Sequence, residues 1–165
     1  MAAKVAGCPA DEPFLPRISY KASLRVTPLS FLDYVGCKQV YMEAFAETEW
    51  PSIKEAWRCR APLGCWAVRY HGTIVGFSLV STDNIIKYIA IHPDFQGLRI
   101  GTTLRLRTLN DLCDARSIRL TTAGDRRLAT WYGRFGFCIT NTHLDADGAY
   151  IGADMVRRQR CRSAK

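Results

Sequence analysis

Absent from this 165-residue chain is any pair of cysteines with the C-x-x-C spacing that zinc and redox sites use. Its seven cysteines are also odd in number, and both facts favour free thiols in a reducing compartment. The alternative, a nucleophilic cysteine, has no nearby histidine motif to support it. The sequence therefore predicts a cytoplasmic protein without a metal site.

Long hydrophobic runs are missing as well, so no segment is predicted to cross a membrane. Residues 1–16 contain Lys4 but no continuous apolar stretch, because Pro9, Pro13 and Pro16 interrupt it. This pattern is not that of a secretory signal. With no internal repeat, the sequence predicts a flexible arm over 1–20, one domain over 21–156 and a basic tail over 157–165.

Positive charge is in excess, with a formal net charge of +8. Such a field favours anionic partners, either a polyphosphate cofactor or nucleic acid. Basic residues interleaved with aromatic ones, as in RNA-binding proteins, are not found, so nucleic acid is the less favoured partner. The basic tail is equally compatible with a solvated surface. The basic clusters are Arg99, Arg105, Arg107, Arg116, Arg119, Arg126 and Arg127, and then Arg157, Arg158, Arg160, Arg162 and Lys165.

Hydrophobic periodicity predicts an alternation of strands and helices. The residues 71–72, His-Gly, separate two β-branched and aromatic runs and indicate a hairpin. The resulting order, β-α-α-β-β-β-α-β-α-β-β, is a mixed α/β sheet with a helical crossover. The predicted strands are 22–27, 65–70, 73–81, 85–91, 117–122, 137–142 and 149–156, and the predicted helices are 31–46, 52–58, 102–116 and 125–135.

A glycine-containing loop, residues 96–101, lies between a predicted strand and a predicted helix. The free N–H groups of a first helical turn bind anions, and glycine lets the backbone approach closely. Further along the chain, Tyr132 supplies a hydroxyl on a short helix that ends before Gly136 and Phe137. Together these features indicate a site that holds a phosphorylated carrier and moves a group from it.

Two segments resemble the GCN5-related N-acetyltransferase (GNAT) family. Residues 89–104, IAIHPDFQGLRIGTTL, are similar to its strand and acetyl-CoA loop, with the pattern Gln/Arg-x-x-Gly-x-Gly/Ala. Residues 130–137, TWYGRFGF, resemble its aromatic-Tyr-x-x-x-Gly-Phe segment. The resemblance extends over roughly 24–155 and implies a mixed central sheet flanked by helices. The first glycine of the loop pattern falls on Arg99, which either adds a charge-assisted contact or points to solvent and weakens binding.

The resemblance implies acetyl-CoA as co-substrate and direct attack by an amine. The strand over 85–91 would separate from its neighbour at a bulge, and the pantetheine arm would pair with Ile89 and Ile91. A strand N–H would polarise the acetyl carbonyl, and Tyr132 would protonate the leaving thiolate unless it is only a core aromatic. Asp125 would contact pantetheine or only cap a helix. The implied cofactor residues are Ile89, Ala90, Ile91, Gln96, Gly97, Leu98, Arg99, Ile100, Gly101, Thr102, Thr103, Asp125 and Tyr132.

The acceptor and its general base are less defined. In relatives the end of the first helix lines the acceptor side, so Glu43 and Glu47 are the candidate catalytic carboxylates, with Glu49 beside them. Each is equally compatible with a solvated helix end. His92, Asp83 and a water chain are further candidates. The acceptor is predicted to be a primary amine, either small or on a peptide or protein, and residues 47–50 favour a cationic one.

Two other properties stay open at this point. Relatives pair as dimers through their later strands, so a homodimer is one state that the resemblance allows. The alternative function is a non-catalytic module of the same fold that binds nucleic acid through its basic surface. It predicts salt-sensitive nucleic-acid binding and indifference to acetyl-CoA.

Overall fold

One seven-stranded sheet organises the described part of the chain. The structure, a computed structural model, describes residues 23–45, 51–124 and 126–158. The strand order is β1-β2-β3-β4-β5-β7-β6, and all neighbours are antiparallel except the parallel pair β4–β5. The strands are β1 (Leu24–Pro28), β2 (Trp66–Tyr70), β3 (Thr73–Val80), β4 (Ile85–Ile91), β5 (Ser117–Ala123), β6 (Cys138–Leu144) and β7 (Tyr150–Arg158).

Four α-helices are described around this sheet. They are α1 (Tyr34–Phe45), α2 (Pro51–Arg58), α3 (Ile100–Asp111) and α4 (Arg126–Gly133), with short 3-10 turns at Phe31–Asp33 and Pro93–Phe95. The helix α3 makes the crossover between the parallel strands β4 and β5. The predicted element order and the mixed sheet with helices are both confirmed.

Helices α1 and α3 cover opposite faces of β4. The ring of Tyr88 packs against Tyr41 of α1, with centroids 5.2 Å apart. Its neighbour Ile89 packs against the cluster that contains Ile100 and Leu104 of α3. Consecutive strand residues point to opposite faces, so the two helices enclose the sheet between them. This burial on both sides explains why seven of the eight residues of β3 are buried.

Two glycines let α3 approach the sheet closely. A Cβ on Gly76 of β3 would lie 3.1 Å from Ile100 Cγ2 and 3.3 Å from the Ala90 carbonyl oxygen. A Cβ on Gly101 would lie 2.9 Å from Ile91 Cδ1. Larger side chains would push the helix away. These contacts therefore fix the N-terminus of α3 beside the end of β4.

The strands β4 and β5 separate after two residue pairs. Only Ile85–Arg119 and Ile86–Leu120 are paired, and a register shift between β3 and β4 leaves Lys87 as an extra residue. The N–H of His92 donates to Val75 O of β3, at 2.9 Å. Because antiparallel peptide groups alternate in direction, those of Ile89 and Ile91 point away from β3 into the gap. The structure thus contains the predicted bulge and separation.

Some boundaries differ from the prediction. Helix α3 begins at Ile100 and ends at Asp111, whereas the sequence predicted 102–116, because Leu112 leaves the helical conformation at φ −93° and ψ 19°. Helix α4 ends at Gly133 instead of residue 135. The predicted tail was wrong for Arg157 and Arg158, which belong to β7 and pair with Ile118 and Ser117. The predicted arm, Asp125 and residues 159–165 lie outside the described residues.

No helix in the described ranges is both long and apolar enough to span a membrane.

Candidate active site

A cavity of about 750 Å³ opens where β4 and β5 separate. It is lined from four directions: by the open edge of β4, the loop before α3, the start of α3 and one face of α4. Its lining includes nine predicted cofactor residues, namely Ile89, Ile91, Gln96, Gly97, Arg99, Ile100, Gly101, Thr102 and Tyr132. The lining that the sequence did not indicate is Phe45, Ile86, Lys87, Tyr88, Phe95, Leu120, Thr121, Ala123, Leu128 and Trp131.

Three predicted cofactor residues do not line this cavity. Ala90 is buried, and Leu98 packs with the apolar cluster between α3 and the sheet. The hydroxyl of Thr103 donates to the carbonyl of Arg99, at 3.2 Å, inside the first helical turn. The side chains of these residues therefore hold the loop and helix in place.

The loop before α3 is shaped to expose backbone N–H groups. Gly97 adopts φ +76°, and Arg99, the N-cap of α3, adopts the left-handed conformation at φ +62° and ψ 15°. The N–H of Thr103 donates to Arg99 O at 3.1 Å, so the N–H groups of residues 100–102 precede the intrahelical bonds. These N–H groups face the end of the cavity and carry the positive pole of the helix dipole. Both properties favour the binding of a phosphate group.

The backbone groups at the open edge of β4 are not equally available to a ligand. The side-chain amide of Gln96 donates to the carbonyl oxygen of Ile91, at 3.3 Å. Beyond Ile86, the described residues give β4 no strand partner on this side, so the Ile89 peptide group faces the cavity directly. An extended ligand would therefore find its open backbone partner at Ile89 and would share Ile91 with Gln96.

Tyr132 lies at the opposite wall of the cavity. It is 7% exposed, and its ring packs edge-on against Trp131 and Phe137. Burial raises the pKa of its hydroxyl to about 12, against the opposing influence of Arg105. The hydroxyl therefore holds its proton throughout the neutral range and is a donor, not a base.

Arg105 does not line the main cavity but lies behind its wall, and the sequence did not reveal its burial. This α3 side chain is 1% exposed, and its guanidinium lies over the rings of Trp131 and Phe135. Its Nε and Nη1 have no hydrogen-bond partner. Burial lowers its pKa to about 10, which leaves the group charged at neutral pH. A buried cation thus lies on the side of α4 that carries Tyr132.

The candidate catalytic carboxylates either do not line the main cavity or lie outside the described residues. Glu43 pairs with Nε2 of His92 at the end of β4 and accepts from Gln39 Nε2 at 3.2 Å. His92 lines a separate cavity of about 290 Å³, and Glu43 does not line the main one. Asp83 is in an exposed turn before β4. Glu47 and Glu49 are outside the described residues, as is Asp125.

The five cysteines of the described ranges are free thiols. Burial raises the pKa of Cys37 and of Cys65, which makes both poor nucleophiles at neutral pH. The other three, Cys59, Cys113 and Cys138, are exposed and do not line the main cavity. None of these five cysteines is therefore a candidate nucleophile for the site.

The model of the Acetyltransferase (GNAT) family matches residues 33–137. The chain belongs to the GNAT acetyltransferase family. The match includes the loop, α3 and Tyr132, which are the elements that enclose the main cavity. A search of curated proteins finds no match to the chain.

Solved structures of other proteins show the same fold. A Pyrococcus horikoshii protein, PH1933, is 22% identical with a TM-score of 0.67, over 83% of this chain and 99% of its own. Arabidopsis thaliana Naa50, in complex with the bisubstrate analogue CoA-Ac-MVNAL, is 16% identical with a TM-score of 0.62, over 82% and 98%. An acetyl-CoA-bound GNAT acetyltransferase from Elizabethkingia anophelis is 16% identical with a TM-score of 0.63, again over 82% and 98%.

The backbone at Arg99 explains why the GNAT loop pattern has glycine there. A left-handed residue with a side chain costs about 1–2 kcal/mol relative to the right-handed region, and glycine does not bear this cost. The side chain of Arg99 is exposed. The arginine is therefore accommodated at the expense of backbone strain, and the shape of the loop is kept.

Arg99→Gly is expected to raise the free energy of unfolding by about 0.5–1 kcal/mol, since relief of the strain exceeds the added freedom of the unfolded chain. Denaturant unfolding of both proteins measures this difference. Arg107→Gly, at an exposed position inside α3, is the matched control and is expected to destabilise by about 1 kcal/mol. A weaker affinity of the Arg99→Gly variant for acetyl-CoA would instead indicate that the guanidinium contacts the phosphates.

Proposed function

We propose that the protein transfers the acetyl group of acetyl-CoA to a primary amine, on a small molecule or on a peptide or protein. The observation behind this proposal is the single cavity that joins free N–H groups of α3, the open peptide group of Ile89 and the protonated hydroxyl of Tyr132. Neighbours of the same fold were solved with acetyl-CoA or with a CoA–peptide analogue, which fits this chemistry.

The co-substrate would enter along β4. The N–H groups of residues 100–102 bind the pyrophosphate, and the pantetheine arm runs along the edge of β4 toward Ile89. The N–H of Ile89 is directed at the cavity and stabilises negative charge on the acetyl oxygen as the tetrahedral intermediate forms. These donors are fixed by the sheet and the helix, so little reorganisation accompanies the reaction.

The transfer itself needs two proton movements. The amine nitrogen attacks the acetyl carbon and forms the C–N bond, and the C–S bond then breaks. Tyr132 donates its proton to the departing sulfur, and a proton leaves the amine nitrogen toward a base. The enzyme mainly aligns the two reactants, and no covalent enzyme intermediate is involved.

The acceptor would approach from the α1 side of the sheet. There Phe45, Lys87, Tyr88 and Thr121 line the cavity, on the face opposite Ile100 and the rest of α3. The aromatic wall excludes water and favours the neutral amine over the ammonium ion. A cationic acceptor held by residues 47–50 stays a prediction, as do the cytoplasmic location and the homodimer.

A thermal melt with and without acetyl-CoA tests the co-substrate. At one hundred times its dissociation constant, a ligand of the folded state stabilises by about 2.7 kcal/mol, which raises the melting temperature by about 5–10 °C. Coenzyme A release with a panel of amines and peptides then tests transfer. The absence of both responses, together with salt-sensitive binding of a nucleic-acid duplex, would favour the non-catalytic alternative.

A further inference from the structure

Acetyl transfer as proposed leaves one group unassigned, the base that takes the proton from the acceptor amine. The following inference rests on that proposed function. The candidates from the sequence do not reach the main cavity: Glu43 and His92 form a pair beside another cavity, and Asp83 lies in an exposed turn. The described residues hold a second histidine–carboxylate pair, His143 with Asp154, and the carboxylate accepts a hydrogen bond from Thr121 in the lining of the main cavity.

Strand pairing brings this second pair to the edge of the cavity. Thr121 of β5 is directly opposite Asp154 of β7, and Asp154 is opposite Asn141 of β6. Residues directly opposite in paired strands share a face, so these side chains form one row across three strands. The alternate residue of β7, Met155, points the other way and lines a cavity against α4. The row therefore lies on the face opposite α4.

Short contacts connect the row into a network. The hydroxyl of Thr121 donates to Asp154 Oδ1 at 2.8 Å, and Nε2 of His143 lies 3.1 Å from the same oxygen. The amide of Asn141 donates to Oδ2 at 3.5 Å. Thr121 also lines the main cavity beside Tyr88 and Lys87. The network thus begins at the cavity wall and ends at Asp154 and His143, whose side chains are each 38% exposed.

We propose that Thr121, Asp154 and His143 carry the proton of the acceptor amine from the main cavity to solvent. The Thr121 oxygen accepts a proton from the ammonium nitrogen while its own proton passes to Asp154 Oδ1. His143 Nε2, which is buried and has no hydrogen-bond partner, then takes that proton from Oδ1. The resulting imidazolium releases a proton from Nδ1 to water, and exchange with solvent restores the Nδ1–H form. The amine becomes neutral and nucleophilic, Thr121 and Asp154 return to their starting forms, and no other reactant is consumed.

The charges around the network favour a carboxylate at its centre. Arg119 of β5 and Arg158 of β7 line a hollow of about 410 Å³ together with Asp154, and Lys87 of β4 lines the main cavity. The hydrogen bond from Thr121 is the largest cause that lowers the pKa of Asp154. Asp154 therefore passes a proton on instead of keeping it.

The experiment compares kcat/KM against pH for the full-length protein and four variants, with coenzyme A release as readout. Asp154→Asn and His143→Gln are expected to lose about 100-fold in kcat/KM near neutral pH, as is typical for loss of a base. The loss should shrink as the pH rises, because the acceptor amine then deprotonates without help. Asp147→Asn and His71→Gln, at exposed turns outside the network, are the matched controls and should follow the parent protein.

A thermal shift with acetyl-CoA separates this inference from the proposed function. Every variant should keep the shift of the parent protein, because none of the substituted residues lines the main cavity. If the parent protein shows neither the shift nor coenzyme A release, acetyl transfer itself fails. If the parent protein is active and Asp154→Asn and His143→Gln keep its pH profile, the network is not the base. Loss of activity in a fifth variant, His92→Gln, would instead assign the proton to the pair with Glu43.

Discussion

Tyr132→Phe is expected to lower kcat by about 100-fold or more while KM for acetyl-CoA changes little. The phenol is buried in the wall of the cavity, and burial raises its pKa to about 12, so it is fully protonated at the moment the thiolate leaves. Phenylalanine keeps the ring contacts with Trp131 and Phe137 and removes only the hydroxyl group that carries the proton. Steady-state coenzyme A release measures both constants.

Tyr150→Phe is the matched control for this substitution. Tyr150 is on β7, and its hydroxyl lies 3.4 Å from Thr122 Oγ1. The residue lines the cavity against α4 and not the main cavity. A rate close to that of the parent protein is expected. An unchanged kcat for Tyr132→Phe across the pH range would make Tyr132 a core aromatic and leave the thiolate to be protonated by water.

The fold was largely predictable because its signals are local. Strand β4 begins and ends as predicted, at Ile85 and Ile91, because a turn precedes it and Pro93 follows it. The end of α3 was not predictable in the same way. Leu112 is buried, so it continues the apolar stripe of the helix although its backbone has left the helical region. Periodicity reports which residues are buried and does not distinguish a helix from the turn that follows it.

In the site, too, features that depend on local sequence were predictable, and features that depend on contacts between distant segments were not. The glycine-containing loop before α3 and Tyr132 lie in short contiguous motifs, and the structure places both at one cavity. The network of Thr121, Asp154 and His143 depends on the register of three strands, one of which is distant in sequence from the other two. A single sequence holds no signal for that register. Arg105 was hidden for another reason: the sequence grouped it with the basic surface residues, whereas the packing of α4 buries it.

Arg105→Met is expected to raise the free energy of unfolding by about 1–3 kcal/mol, since the folded protein no longer buries a charge with unsatisfied donors. The guanidinium is 1% exposed and two of its nitrogens lack a hydrogen-bond partner. No carboxylate of the described residues forms an ion pair with it. Its contacts with Trp131 and Phe135 offset part of the desolvation, and methionine retains much of that packing.

Arg105→Met is also expected to have a lower kcat than the parent protein. A lower kcat would show that the buried cation contributes to activity and not only to packing. Arg105 lowers the pKa of Tyr132 against the effect of burial, so its removal makes the phenol a weaker acid. Denaturant unfolding and kcat are measured on the same preparations, with Arg107→Met, at an exposed position of α3, as the control expected to change neither much. A destabilised Arg105→Met with unchanged kcat would mean that stacking on the aromatic rings outweighs desolvation and that the cation serves the fold alone.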